Sequence, residues 1–139
     1  FQWFEKGYKI ESTSVITHYW REHPERTSRN SDVYAQKSFF QLKLKWFIQL
    51  NPEIQRIAVF GADSKGKLVI EVLRNHLELR WYDINFRKFN NPVSGFRIQN
   101  PDDCFEKYAL IAVYPDSTQA LEEFLKHKGF EVGINAWYV

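Results

Sequence analysis

Apolar and polar positions follow different periods in three stretches of the chain. Tyr8–Tyr19 alternates loosely and is rich in β-branched residues, which is typical of a strand. Residues 33–50 carry apolar side chains at helical spacing, which predicts a helix. The stripe consists of Phe39, Leu42, Trp46 and Leu50, widened by Phe40, Leu44 and Phe47. So wide an apolar face predicts that this helix packs on the domain that follows it.

From residue 53 onward, short apolar runs alternate with helical patterns. Strands are predicted at Ile57–Phe60, Leu79–Ile84, Ala109–Tyr114 and within Phe130–Val139, and helices at Lys65–His76 and Ser117–Lys128. Strands that alternate with helices in this way indicate a parallel sheet with crossover helices. The predicted fold class is therefore α/β. We expect a small Rossmann-like three-layer domain with a mainly parallel sheet, preceded by a strand, a loop and a docked helix.

Composition narrows the class of protein. The net charge of +2 is too small to argue for nucleic-acid binding. The single cysteine, Cys104, cannot form an internal disulfide, and no apolar run reaches the roughly 18 residues that span a bilayer. We therefore expect a cytoplasmic protein with no membrane span and no nucleic-acid partner. Methionine is absent and residue 1 is Phe, so the chain is expected to be a piece of a longer protein.

The loop after the first buried strand carries the most specific motif. It runs from Gly61 to Gly66 and matches the first and third glycines of the G-x-G-x-x-G dinucleotide fingerprint. Asp83 ends the second strand, where an acidic residue accepts hydrogen bonds from a ribose. The candidate cofactor residues are Gly61, Asp63, Ser64, Lys65, Gly66 and Asp83.

Asp63 replaces the middle glycine of that fingerprint. At 4 Å and an effective dielectric of about 20, its carboxylate would repel a phosphate charge by about 4 kcal/mol. If it points elsewhere, the side chain can cap the following helix. Two interpretations stay open: an NAD-type dinucleotide site, and a scaffold whose turn needs glycine for its geometry. The second is preferred.

The remaining polar groups yield one further candidate. A basic patch able to contact a diphosphate or an anionic acceptor is formed by His18, Arg21, His23, Arg26 and Arg29. A solvated linker is the competing interpretation. The histidines and Cys104 fit no zinc spacing, so no metal site is predicted. Asp102-Asp103 follows Pro101 and is expected to cap a short helix.

The segment His18–Arg29, with the sequence HYWREHPERTSR, carries a family resemblance. Followed by a Phe/Leu/Lys-rich helix and a glycine-loop domain, it resembles the C-terminal region of some bacterial family 2 glycosyltransferases. In those proteins the catalytic domain ends with a helix, a Gly-Tyr turn and a strand, much like Phe1–Tyr19. A loop with Arg-x-His and Ser-Arg, a helix and an appended Rossmann-like domain follow. The resemblance covers nearly the whole chain.

The resemblance implies a parent enzyme that moves a sugar from a nucleotide-sugar donor to a glycan or lipid. Residues 1–52 would then be the end of the catalytic domain, the basic loop and the docking helix, and residues 53–139 the Rossmann-like domain. The family's metal-binding Asp-x-Asp motif is missing here, so no catalytic residue is assigned. The implied role is a non-catalytic structural or regulatory module, inactive alone, whose partner is the upstream catalytic domain. Homo-oligomerisation is left open. The alternative is a dinucleotide-binding domain of an oxidoreductase or redox sensor.

Overall fold

The computed structural model describes residues 5–9, 11, 13–16, 19, 36–113 and 118–139. The chain divides into two compact units, Phe1–Phe39 and Phe40–Val139. In the first unit, the described residues of the stretch Tyr8–Tyr19 form no strand and include a bend at Ser14 and Val15. A strand needs a neighbour to bond its N–H and C=O groups. No partner strand lies among the described residues of this unit, so alternation alone does not produce one.

The second unit is an α/β domain. Its elements in chain order are α1 (Gln36–Leu50, beginning in the first unit), β1 (Arg56–Phe60), α2 (Ser64–Leu73), β2 (Glu78–Tyr82), β3 (Ile98–Gln99), β4 (Ala109–Ile111), α3 (Thr118–His127) and β5 (Ala136–Tyr138). Short 3-10 turns occupy Phe86–Lys88 and Pro101–Asp103.

Within the described residues, five parallel strands form one sheet in the order β3-β2-β1-β4-β5. This is the strand order of a Rossmann-like fold, which confirms the predicted fold class. The chain builds outward from β1 through β2 to β3, then returns to place β4 on the other side of β1. The carboxyl ends of β1 and β4 therefore form the switch point where ligands bind in open α/β sheets.

The two faces of the sheet are covered by different helices. Along β1, Ile57 and Val59 contribute to the core beneath α1 and α2, whereas Ala58 and Phe60 contribute to the core beneath α3. This division follows from the two-residue period of a strand. The second core is strongly aromatic, because the Phe60 ring lies 5.5 Å from the ring of Tyr82 and 5.8 Å from that of Phe130.

Helix α1 packs on the domain through one part of the predicted apolar face. Phe40 and Leu44 are buried, and Phe47 and Ile48 pack beside them. The other part of that face is largely exposed: 61% for Phe39, 48% for Leu42 and 43% for Leu50, with Trp46 half-buried. Both stripes have helical spacing, so periodicity could not choose between them. Contact with β5 decides, since the ring of Phe47 lies 5.2 Å from that of Trp137.

The link from β2 to β3 contains no crossover α-helix. Residues 83–97 instead form a 3-10 turn and a tight turn in which Val93 bridges to Phe96. The sequence did not predict β3, because two residues are too few to show a strand period. Parallel strands are usually joined by a helix. Here the irregular link takes the helix's place and forms part of the sheet's edge.

Candidate functional site

The glycine loop connects β1 to α2 at the switch point. Gly61 has a φ of +103°, and a Cβ added there would lie 2.6 Å from the Ala112 carbonyl oxygen. A Cβ on Gly66 would lie 2.0 Å from the Gly61 carbonyl oxygen. Both positions therefore require glycine because backbone approaches backbone, and the two matches to the fingerprint have a structural cause that involves no ligand.

Trp81, on β2, contacts the glycine loop through its indole ring. Its indole N–H donates a buried hydrogen bond of 2.7 Å to the Gly61 carbonyl oxygen. The missing side chain of Gly66 leaves room for this contact, since a Cβ there would lie 3.2 Å from the same indole nitrogen. Trp81 is fully buried in strand β2. The hydrogen bond could not be predicted, although a buried tryptophan usually needs an acceptor.

Asp83 is engaged by the loop itself. One carboxylate oxygen accepts a 2.7 Å hydrogen bond from the Ala62 backbone N–H, and the other accepts one of 2.7 Å from the Asn85 N–H. The side chain lies where the ribose-binding residue was expected, at the end of β2. It holds the glycine loop in place, and the Ala62 donor is already used. The Gly61 N–H is used as well, because it donates to the Tyr82 carbonyl oxygen.

Asp63 occupies the N-cap position of α2 without capping it. Its side chain makes no cap hydrogen bond and is exposed, which corrects the expectation that it would satisfy the first turn. The backbone carbonyl of Asp63 accepts from the Lys67 N–H at 3.0 Å, so its contribution to the helix start comes from the main chain. Ser64 begins α2 and is also exposed.

Lys65 connects the ends of two strands. Its ammonium donates to the Val113 carbonyl oxygen at 3.2 Å and to the Val139 main-chain oxygen at 3.1 Å. Lys43, on α1, lies close enough to be affected: burial lowers the pKa of Lys43, and the charge of Lys65 lowers it further. Lys65 was predicted to be a cofactor-binding residue. The structure directs it to the carboxyl ends of β4 and β5.

The cavity beside the loop is small. It has a volume of about 60 Å³ and is lined by the ends of β1 and β2 together with Val113 and Leu121. Ligand pockets usually measure about 300–1,000 Å³. As bounded by the described residues, this space is too small for a nucleobase with its ribose.

A buried carboxylate lies on the α3 side of the sheet, and the sequence did not indicate it. Glu106 is 7% exposed, and one of its oxygens accepts from the Tyr82 hydroxyl at 2.8 Å and the Cys104 thiol at 3.3 Å. The other oxygen has no hydrogen-bond partner among the described residues. Burial raises the pKa of Cys104 to about 12, and it also raises the pKa of Tyr82. At neutral pH the Cys104 thiol is therefore protonated, and it packs beside the core beneath α3.

Asp102 and Asp103 lie in a 3-10 turn whose cap is Asn100. The Asn100 side chain accepts from the Asp102 N–H at 3.2 Å, so the capping role assigned to the aspartates belongs to their neighbour. Asparagine is as good a cap as aspartate, which is why the sequence did not discriminate between them.

The remaining expectations concern the basic patch, a metal site and a membrane span. The predicted basic patch, His18, Arg21, His23, Arg26 and Arg29, lies outside the described residues. Among the residues that are described, no group of three His, Cys, Asp or Glu side chains could hold a metal ion. In the same part of the chain, no helix is both long and apolar enough to cross a membrane.

Comparison with known proteins adds no relative. No protein-family model matches the sequence, and no match was found among curated proteins or solved structures. The class of protein is therefore defined by the fold and the loop geometry: a small Rossmann-like α/β domain with a helix packed on its sheet.

Proposed function

We propose that this chain is a non-catalytic module of a bacterial nucleotide-sugar-dependent glycosyltransferase, with a structural or regulatory role beside an upstream catalytic domain in the cytoplasm. The transferase assignment depends on the motif resemblance of His18–Arg29 and on the order of segments that follows it. Support from the fold is limited to the appended domain, which is Rossmann-like and preceded by a packed helix.

The non-catalytic role is carried by one observation, the internal use of the glycine loop. The N–H groups of Gly61 and Ala62 donate to Tyr82 and Asp83, and the Gly61 carbonyl accepts from Trp81. A phosphate at this turn would have to compete with these bonds. Removing the partner of a buried donor costs about 1–3 kcal/mol. The loop is thus stabilised as a structural turn.

The test uses the natural gene that contains this chain. We expect a segment upstream of Phe1 to encode an α/β domain with an Asp-x-Asp motif. The full protein is expected to transfer sugar from a nucleotide-sugar in the presence of Mg²⁺ or Mn²⁺, whereas the purified 139-residue chain is inactive. An upstream sequence without that motif, or metal-dependent turnover by the 139-residue chain, would disprove the proposal.

One alternative function has a specific observation in its favour. A dinucleotide-binding domain has this strand order, two glycines at these positions of the loop and an acidic residue at the end of β2, where this chain has Asp83. In that case the chain would belong to an oxidoreductase or redox sensor.

Calorimetry with NAD and NADP separates the two functions. We expect weak or no binding to the unmodified chain. Asp63→Gly removes a charge and a side chain from the helix start, so it is expected to raise the affinity, with NAD preferred because Asp83 repels a 2′-phosphate. Tight binding to the unmodified chain would favour the oxidoreductase or sensor. Absence of binding to both proteins would leave the internal bonds of the loop as the reason.

A further inference from the structure

A second cleft lies at the β3 edge of the sheet, away from the glycine loop. It has a volume of about 710 Å³, within the usual range for a ligand pocket. One wall is the link between β2 and β3, and the other is β3 with the turn that follows it. None of its lining residues lines the small cavity beside the glycine loop. The cleft is therefore a separate site.

The wall of this cleft is anchored in the hydrophobic core. Phe86, Phe89, Val93 and Phe96 pack against the core beneath α2. Val93 and Phe96 also exchange two backbone hydrogen bonds, each of 2.9 Å. Ordered connections longer than about 12–15 residues that lack regular structure are often functional. Because this connection is tied to the core at several points, the cleft is formed before any ligand arrives, which lowers the entropy cost of binding.

Four polar side chains of the lining are not used by the fold. Arg87, Arg97, Asn90 and Asn91 are exposed and line the cleft. Within the described part of the chain, none of the four makes a side-chain hydrogen bond or ion pair. The Arg87 guanidinium is oriented all the same, because it lies 5.5 Å from the centre of the Phe86 ring. A cation over an aromatic face is attracted by the negative face of the ring.

We propose that this cleft binds a saccharide that carries one anionic group, either a phosphate monoester or a carboxylate. The two guanidinium groups supply the paired N–H donors that match the oxygens of such an anion. The side chains of Asn90 and Asn91 each offer a donor and an acceptor, which suits neighbouring hydroxyl groups. Phe89 and Pro92 add apolar surface for the C–H face of a sugar ring.

The charge of the lining limits the anion. Asp103 also borders the cleft, so two arginines and one aspartate leave a single net positive charge. A diphosphate brings more negative charge toward this carboxylate, whereas one phosphate monoester or one carboxylate can bind the arginines while the sugar hydroxyls donate to Asp103. The inference is independent of the transferase proposal, because it uses only the residues of this cleft.

Calorimetry on the 139-residue chain tests the ligand class. The probes are glucose 1-phosphate and glucuronic acid, with glucose and inorganic phosphate as controls. At least one anionic sugar is expected to bind about tenfold or more tightly than either control, since a charge-assisted hydrogen bond contributes at least that factor. The preferred probe identifies the anion as phosphate or carboxylate. Equal binding of glucose or of inorganic phosphate, or no binding of either anionic sugar, would overturn the proposal.

Matched variants locate the binding. Arg97→Ala should weaken the anionic sugar about tenfold or more and leave the urea midpoint unchanged, because Arg97 is exposed and makes no contact with the core. Arg74→Ala is the control: this arginine lies 6.0 Å from the Phe96 ring but does not line the cleft, so affinity should stay the same. An equal loss in both variants would mean that general positive charge, not this cleft, attracts the anion, and it would refute the site.

Discussion

Replacing Leu44 with Ala tests whether α1 is an integral part of the α/β domain. Leu44 is 0% exposed and lies in the same core cluster as Ile54 and Ile57. Truncation removes buried apolar atoms and leaves a cavity, and such Leu→Ala changes cost about 2–5 kcal/mol. A value near the middle of that range, about 3 kcal/mol, is expected, because the helix can shift slightly to close part of the gap.

Leu42 on the same helix provides the matched control. It is 48% exposed, so Leu42→Ala should change the free energy of unfolding by no more than about 0.5 kcal/mol. Both variants remove the same atoms from the same helix, and helix propensity changes equally in each. Their difference therefore isolates burial.

Urea denaturation followed by circular dichroism measures the two free energies. With a slope of about 1–3 kcal/mol/M for a small domain, a 3 kcal/mol loss lowers the midpoint by about 1 M or more. If Leu44→Ala lost less than about 1 kcal/mol, or if Leu42→Ala lost as much, the packing of α1 described above would be refuted. A larger loss for Leu42→Ala would mean that the helix packs on the domain through Phe39, Leu42 and Leu50 instead.

Two further predictions concern the loop and the buried thiol. Gly66→Ala should destabilise the domain by about 1–3 kcal/mol, because the new Cβ overlaps the Gly61 carbonyl; helix propensity alone would give a gain of about 1 kcal/mol, so the sign of the urea result decides. Stability should also fall as pH rises above about 9. Burial raises the pKa of Cys104 and of Tyr138 to about 12 each, so these groups hold their protons more tightly in the folded state, and that stabilisation is lost toward the folded pKa. Urea titrations from pH 8 to 11 measure this decline. Cys104→Ala should make the decline smaller and delay its onset toward pH 10, where tyrosine ionises in the unfolded chain; an unchanged profile would contradict the assignment.

The elements that could be predicted from the sequence are those with a long or sharply bounded pattern. Strand β1 ends at Phe60, just before Gly61, and α3 carries a clear helical repeat; both lie where they were expected. Strand β3 has only two residues and no period to detect. The packed face of α1 was predicted only in part, because the predicted apolar face contains two stripes and the structure buries the one that contacts Trp137.

The candidate site divides in the same way. The structural role of Gly61 and Gly66 could be predicted, because only glycine meets the steric requirement of this tight turn. The partners of Asp83 and Lys65 could not, because a hydrogen bond depends on which groups the folded chain brings together. The cleft at β3 was missed for a related reason: Arg87 and Arg97 belong to segments that come together only through the bridge between Val93 and Phe96.

The structural role proposed for the glycine loop explains how a motif can persist in a fold without its usual ligand. A tight turn from strand to helix needs glycine wherever a Cβ would meet backbone, whether or not a phosphate lies above it. What distinguishes a ligand site is a set of donors that still point outward. In this chain Asp83 bonds the Ala62 N–H at 2.7 Å. A phosphate would have to displace a carboxylate from that donor, exchanging one charge-assisted bond for another while bringing two negative charges together. That exchange has no net gain in bonds and a cost in repulsion, so we expect the turn to stay closed on itself and to bind a dinucleotide weakly or not at all.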